Sequence, residues 1–196
     1  MTTTKSNQID LSYSSDSISS IADIVKQENN HLCLFLGLYT PNKKEALQKL
    51  ASALKLPAEH IDLNDYVVKS EQETIENLNT LFDTHNSEEV ILYFEHGDKL
   101  CGAYTGFSHS RVKYASPQER HFLRLVENFN GLVVVDISEY TAADKTIRRA
   151  AQSIIRFDLP DSKLKRFIWH LKNYTLHGFE LKTKRPDSYG EVPGNF

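Results

Sequence analysis

The sequence predicts a three-layer αβα domain built on a parallel β-sheet. Two observations carry this reading: short, almost continuous apolar runs, and helical stretches with one apolar face that alternate with them. Strands buried on both faces read as continuous apolar runs rather than alternating ones. Regular alternation with helices implies right-handed crossovers, and these put helices on both faces of one sheet.

The first helix is expected over 17–26, where Ile18, Ile21, Ile24 and Val25 mark one face. The run 31–36 is the first buried strand and ends at Gly37. Ala46, Leu47, Leu50, Ala51 and Leu54 then recur at helical spacing over 43–54. A second strand at 60–63 leads to a helix over 72–83, carried by Ile75, Leu78, Leu81 and Phe82. The third strand is 89–94. Helix 117–128 presents Phe122, Leu125 and Val126, and Gly131 introduces the fourth strand, 132–135. A helix at 143–152 and a last strand at 153–157 complete a five-stranded sheet. After Pro160 the pattern changes to one aromatic helix over 162–175, followed by a loose, charged tail rich in Pro and Gly. Residues 1–18 are rich in Ser and Thr and read as a flexible leader, with Leu11 and Tyr13 as its anchors. The organisation is thus leader 1–18, core 19–160, and a remnant helix with tail over 161–196.

A net charge of −3 gives no general electrostatic basis for binding nucleic acid. The longest apolar runs are too short to span a bilayer, and the N-terminal stretch lacks the apolar centre of a signal peptide. Two cysteines cannot make a disulfide framework, and Cys33 lies within an apolar strand. A reducing, cytoplasmic setting is expected.

In such folds function sits at the carboxyl ends of the strands. There the segments fall into a familiar order. LFLGLYTPNKKEALQKLASALKLPAEHIDL (34–63) resembles the Walker A loop, first helix and second strand of AAA+ ATPases. VILYFEHGDKLCG (90–102) is similar to a Walker B strand with its following turn. RVKYASPQERHFLRLVENFNGLVVV (111–135) resembles the helix and sensor-1 strand that come next. RRAAQSIIRFDLPD (148–161) resembles the arginine-finger segment and the end of the core. The narrower likeness is to bacterial AAA ATPases associated with contractile injection systems. The resemblance implies a P-loop NTPase-like core, a truncated helical lid after Pro160, and ATP with Mg²⁺ as the ligand of an intact site.

The residues at those positions imply a damaged site. A phosphate loop needs glycines, a Lys, and a Ser or Thr hydroxyl for Mg²⁺. Gly37 and Lys43 match the resemblance. Pro41 removes an amide donor, Asn42 replaces a glycine, and Lys44 replaces the hydroxyl. A unit charge pair at 4 Å is worth ~4 kcal/mol at an effective dielectric of 20, so an ammonium beside Mg²⁺ would cost up to about twice that. Glu95 and His96 stand where the family has a metal-shell Asp and a water-activating Glu. Ser138 stands at the sensor-1 Asn. Two readings of Lys43 and Lys44 stay open, solvated charges at a helix start or residual phosphate binding. A small metal site from Glu95, His96 and Asp98 is a further alternative. The segment KSEQE (69–73) lacks the aromatic grip of a translocating pore loop. Arg148 and Arg149 match the arginine-finger position, or are two charges on a solvated helix.

Two functions follow from the resemblance. One is a catalytically inactive, AAA+-like assembly subunit that lends arginines to an active ATPase, its protein partner being such an AAA ATPase or copies of itself in a ring or filament. The other is a weak or nucleotide-gated ATPase with altered motifs.

Overall fold

The computed structural model describes residues 8–38, 40–85, 90–101, 103–104, 113–138, 143–159, 162–168 and 171. Expectations for residues 1–7 and 172–196 lie outside the described residues.

The chain runs β1 (Ile9–Ser12), α1 (Ser15–Val25), β2 (His31–Leu36), α2 (Thr40–Leu54), β3 (Ala58–Asp62), α3 (Leu63–Tyr66), α4 (Glu71–Thr84) and β4 (Ile91–Glu95). A 3₁₀ turn at Gly97–Lys99 and a short antiparallel pair, β5 (Ala103–Tyr104) and β6 (Lys113–Tyr114), follow. α5 (Pro117–Asn128), β7 (Leu132–Ile137), α6 (Lys145–Ala150) and β8 (Ser153–Arg156) complete the core, and residues 163–168 and 171 are helical. The main sheet has the order β1-β8-β2-β7-β4-β3, with every pairing parallel.

Among the described residues the sheet therefore has six strands, not the expected five. The extra strand, β1, lies within the segment read as a leader. Its four residues alternate between half-buried and exposed, as an edge strand with one covered face does, and so give no continuous apolar run. It pairs with β8 in the register Ile9↔Ser153 to Ser12↔Arg156. Tyr13 then stacks on Phe157 at 5.1 Å between centroids.

Strands β2 and β7 are buried at every residue, which is why the sequence there is apolar without alternation. Side chains of successive strand residues face opposite sides, and each face builds its own core. Cys33, Phe35, Tyr93, Val134 and Ile155 pack under Ile18, Ile21, Ala46, Leu47 and Leu50 of α1 and α2. Leu34, Leu36, Phe94, Val133 and Val135 pack under Leu78, Leu81, Phe122, Val126 and Ile147 of α4, α5 and α6. Phe94 and Phe122 meet edge to face at 5.1 Å, a geometry that adds to simple area burial.

Local chemistry fixes the helix starts. The Ser14 side chain accepts from Ser17 N–H while the Ser17 hydroxyl accepts from Ser14 N–H, closing a capping box on α1. Ser70 caps α4, and Ser116 caps α5 with Pro117 in the first turn. Asp144 caps α6 through the N–H groups of Thr146 and Ile147.

Candidate functional site

The carboxyl ends of β2, β7, β4 and β3 lie side by side in the sheet. Gly37 leaves β2 with φ 127°, a conformation that favours glycine, and its N–H donates to the Ile137 carbonyl at 3.0 Å. After this turn the helix begins at Thr40. Residues 40–43 are therefore helical where a phosphate-cradling loop was expected. Pro41 suits a first helical turn because its missing N–H needs no partner there. Asn42 does not take up the left-handed backbone that a glycine replacement would need; among the described non-glycine residues only Lys55 and His96 do. A P-loop core is not shown.

Lys43 leaves the first turn of α2 and turns inward. It is 1% exposed and its ammonium forms an ion pair with Asp136 at the end of β7. The other Asp136 oxygen accepts from the Tyr93 hydroxyl of β4 at 2.7 Å. Burial lowers the Lys43 pKa most strongly, and Asp136 and then Asp98 oppose this. Burial also raises the Tyr93 pKa, with Asp136 next in effect. The two α2 neighbours of Lys43 behave differently: Asn42 is half-buried, and Lys44 is exposed. Chemically, Lys43 serves as the internal counterion of a buried carboxylate.

The expected cluster of Glu95, His96 and Asp98 is not gathered. Glu95 Oε1 lies 3.2 Å from His60 Nδ1. His96, at φ 60°, turns toward Asp62 with 3.9 Å between Nε2 and Oδ2. Asp98 Oδ2 accepts from the Ser138 N–H at 3.1 Å, so Ser138 is held through its backbone. Among the described residues no group of three or more His, Cys, Asp or Glu side chains is placed to hold a metal ion. The parallel register explains the partners that sequence reasoning missed. His60 pairs with Tyr93, and Asp62 with Glu95, so the tips of β3 and β4 carry two half-exposed histidine–carboxylate pairs. Asp136 carried a signal of its own, a lone charge inside the run LVVVDI; buried charges are paired as a rule.

Arg148 and Arg149 lie in the last turn of α6, where cations suit the negative end of the helix dipole. Arg148 Nε donates to the Ala143 carbonyl at 2.7 Å, whereas Arg149 is exposed.

A second polar chain lies at the opposite end of the sheet. His31 Nδ1 is 2.6 Å from Glu28 Oε2, and Nε2 is 2.8 Å from the Ser153 hydroxyl. The order carboxylate–imidazole–hydroxyl matches a nucleophile relay, but Ser153 is 0% exposed and His31 1% exposed. A substrate has no route to that hydroxyl, so the chain is an internal hydrogen-bond network. Burial lowers the His31 pKa below 6.5 against the opposing pull of Glu28. The fold therefore favours the neutral ring. This contribution to stability is full above pH 6.5 and is lost as pH falls through the depressed folded value. Chemical denaturation as a function of pH should show stability falling in that window, and His31→Gln should flatten the fall.

No family model matches the chain, and no curated protein matches it. Among solved structures it is similar to a chain of the E. coli MS115-1 HORMA:CdnC:Trip13 complex, with a TM-score of 0.54 and 16% identity. The likeness covers 90% of this chain and 75% of the other. It establishes a likeness of fold to a component of a multiprotein assembly. The AAA+ assignment, including the narrower likeness to ATPases of contractile injection systems, does not stand. A likeness to this HORMA-containing complex at so low an identity carries no AAA+ family, and no family model supplies one. The motifs behind that assignment were broken ones, and the helical start at Thr40 removes the loop on which they depended. Among the described residues no helix is long and apolar enough to cross a membrane.

Proposed function

We propose that this protein is a non-catalytic assembly subunit that works by binding another protein. The observation that carries this reading is the burial of Lys43 against Asp136. The cation best placed by sequence to meet a phosphate is instead part of the core, and extracting it would leave Asp136 and Tyr93 without it. Breaking such a pair costs about 3–5 kcal/mol, which any anionic ligand drawing Lys43 outward would have to supply. The likeness to a component of a protein complex supports the same reading. In such a role Arg149, not Arg148, is the arginine able to reach a partner, including the phosphate of an active ATPase, because Arg148 is tied to Ala143.

The test is a thermal melt with and without ATP and Mg²⁺. A ligand at a hundred times its Kd stabilises a native protein by about 2.7 kcal/mol, so binding would be plain. The expected result is an unchanged midpoint at millimolar nucleotide. A dose-dependent rise would refute the proposal and favour a nucleotide-gated protein.

A further inference from the structure

The helical residues after the core carry an apolar stripe that the core does not cover. Leu164, Phe167, Ile168 and Leu171 are 68, 63, 43 and 53% exposed. Leu164, Phe167 and Ile168, at i, i+3 and i+4 within the helical residues 163–168, share one helix face, the pattern by which an amphipathic helix enters a groove, and Leu171 is exposed beyond them. The rest of 162–171 contains Lys163, Lys165 and Arg166, all exposed, and no carboxylate.

A helix of opposite character lies elsewhere on the same molecule. α4 carries Glu71, Glu73, Glu76 and Asp83, all exposed, and contains no Lys or Arg. On α4 itself Ile75 and Phe82 are each only half-buried; the neighbouring α5 exposes Arg120, Arg124 and Glu127, so the acidic surface is that of α4 alone. The two elements are thus complementary in charge, and both have apolar groups that meet water.

We infer that Leu164, Phe167, Ile168 and Leu171 of one copy dock on the acidic face of α4 of a second copy of this chain. The inference rests on the assembly reading above and names the partner. Pairing of the stripe with itself would bring Lys163 and Lys165 against their own counterparts, and like charges placed together are unfavourable. Contact between two different surfaces avoids this. It is head to tail, so each copy keeps one free surface of each kind and assembly continues until a ring closes or a filament grows. A membrane surface would meet the basic residues but would leave the complementary acidic face of α4 without a counterpart.

Sedimentation velocity of the full chain, from low to high micromolar concentration, tests this. The sedimentation coefficient should rise with concentration. Phe167→Ala should weaken association about tenfold or more, as loss of a central aromatic anchor does. Lys163→Glu/Lys165→Glu and Glu73→Lys/Glu76→Lys should each be monomeric alone, and an equimolar mixture of the two should associate again. All these changes are on exposed positions, and circular dichroism melts verify that each variant is folded. A wild-type chain that stays monomeric overturns the inference, as does association that survives both charge reversals or a mixture that fails to associate. Binding to anionic phosphatidylserine vesicles by a monomeric wild-type chain would identify the membrane as the occupant and overturn it equally. A monomer without nucleotide-dependent stabilisation would sink this inference alone. A nucleotide-dependent rise in melting midpoint would sink the non-catalytic reading and leave the association result to be judged by itself.

Discussion

Replacing Lys43 by Met is expected to destabilise the protein by about 3–5 kcal/mol, because it strands the Asp136 carboxylate in the core with, among the described residues, only the Tyr93 hydroxyl as partner. Asp136→Leu is expected to cost a similar amount for the reciprocal reason. The double replacement, Lys43→Met with Asp136→Leu, should return to within about 1 kcal/mol of the parent, since well-packed apolar groups often replace a buried pair without loss. Urea unfolding of the four proteins closes the cycle. Additive losses would show that the two groups act separately and would remove the counterion role of Lys43. The Asp136→Leu variant has a further signature. It lacks the charge that most opposes the burial of Lys43, so the folded pKa of Lys43 falls further below 10.5. Stability of that variant should then rise as pH climbs through the folded value toward 10.5, because the unfolded chain still binds the proton there.

The second large effect is expected at Gly97. A Cβ at this position would lie 2.5 Å from Val135 Cγ1, 2.8 Å from the Asp136 carbonyl oxygen and 3.0 Å from Ile137 Cγ1. Overpacking typically costs 1–3 kcal/mol, and here one of the obstructing atoms is backbone of a central strand. We therefore expect Gly97→Ala to cost about 3 kcal/mol, measured by chemical denaturation. Adding Val135→Ala should recover only part of this loss, because the carbonyl remains in the way. The same close approach holds the turn from which Asp98 accepts the Ser138 N–H. A near-neutral Gly97→Ala would mean that the turn can move away from β7.

Most of the fold was legible because its strongest signals are local. β2 and α5 lie at the residues expected, and β7 extends the expected 132–135 to Ile137. Continuous burial and helical spacing write themselves directly into apolar residues. β1 was hidden because an edge strand of four residues needs only two apolar positions, Ile9 and Leu11, and its polar neighbours resembled a leader. α2 begins at Thr40, before the expected 43, because Pro41 suits a first helical turn and does not break it. The candidate site was less legible than the frame. Lys43 was singled out, but its partner depends on which strands neighbour one another, and Asp136 lies ninety-three positions later in the chain. His60 and Asp62 were passed over for the same reason, since only the β3–β4 register brings them beside Tyr93 and Glu95.

The pairing of β1 with β8 also constrains the order of events during synthesis. Among the described strands of the sheet Ile9–Ser12 is made first, yet its neighbour β8 is made last. The Gln8 side chain, which donates to the Ala151 carbonyl at 2.9 Å, spans 143 positions of chain. Such distant pairings carry a large loop-closure cost and form late. β1 must therefore wait while the interior of the sheet is laid down, and this edge of the sheet is closed only once β8 is in place.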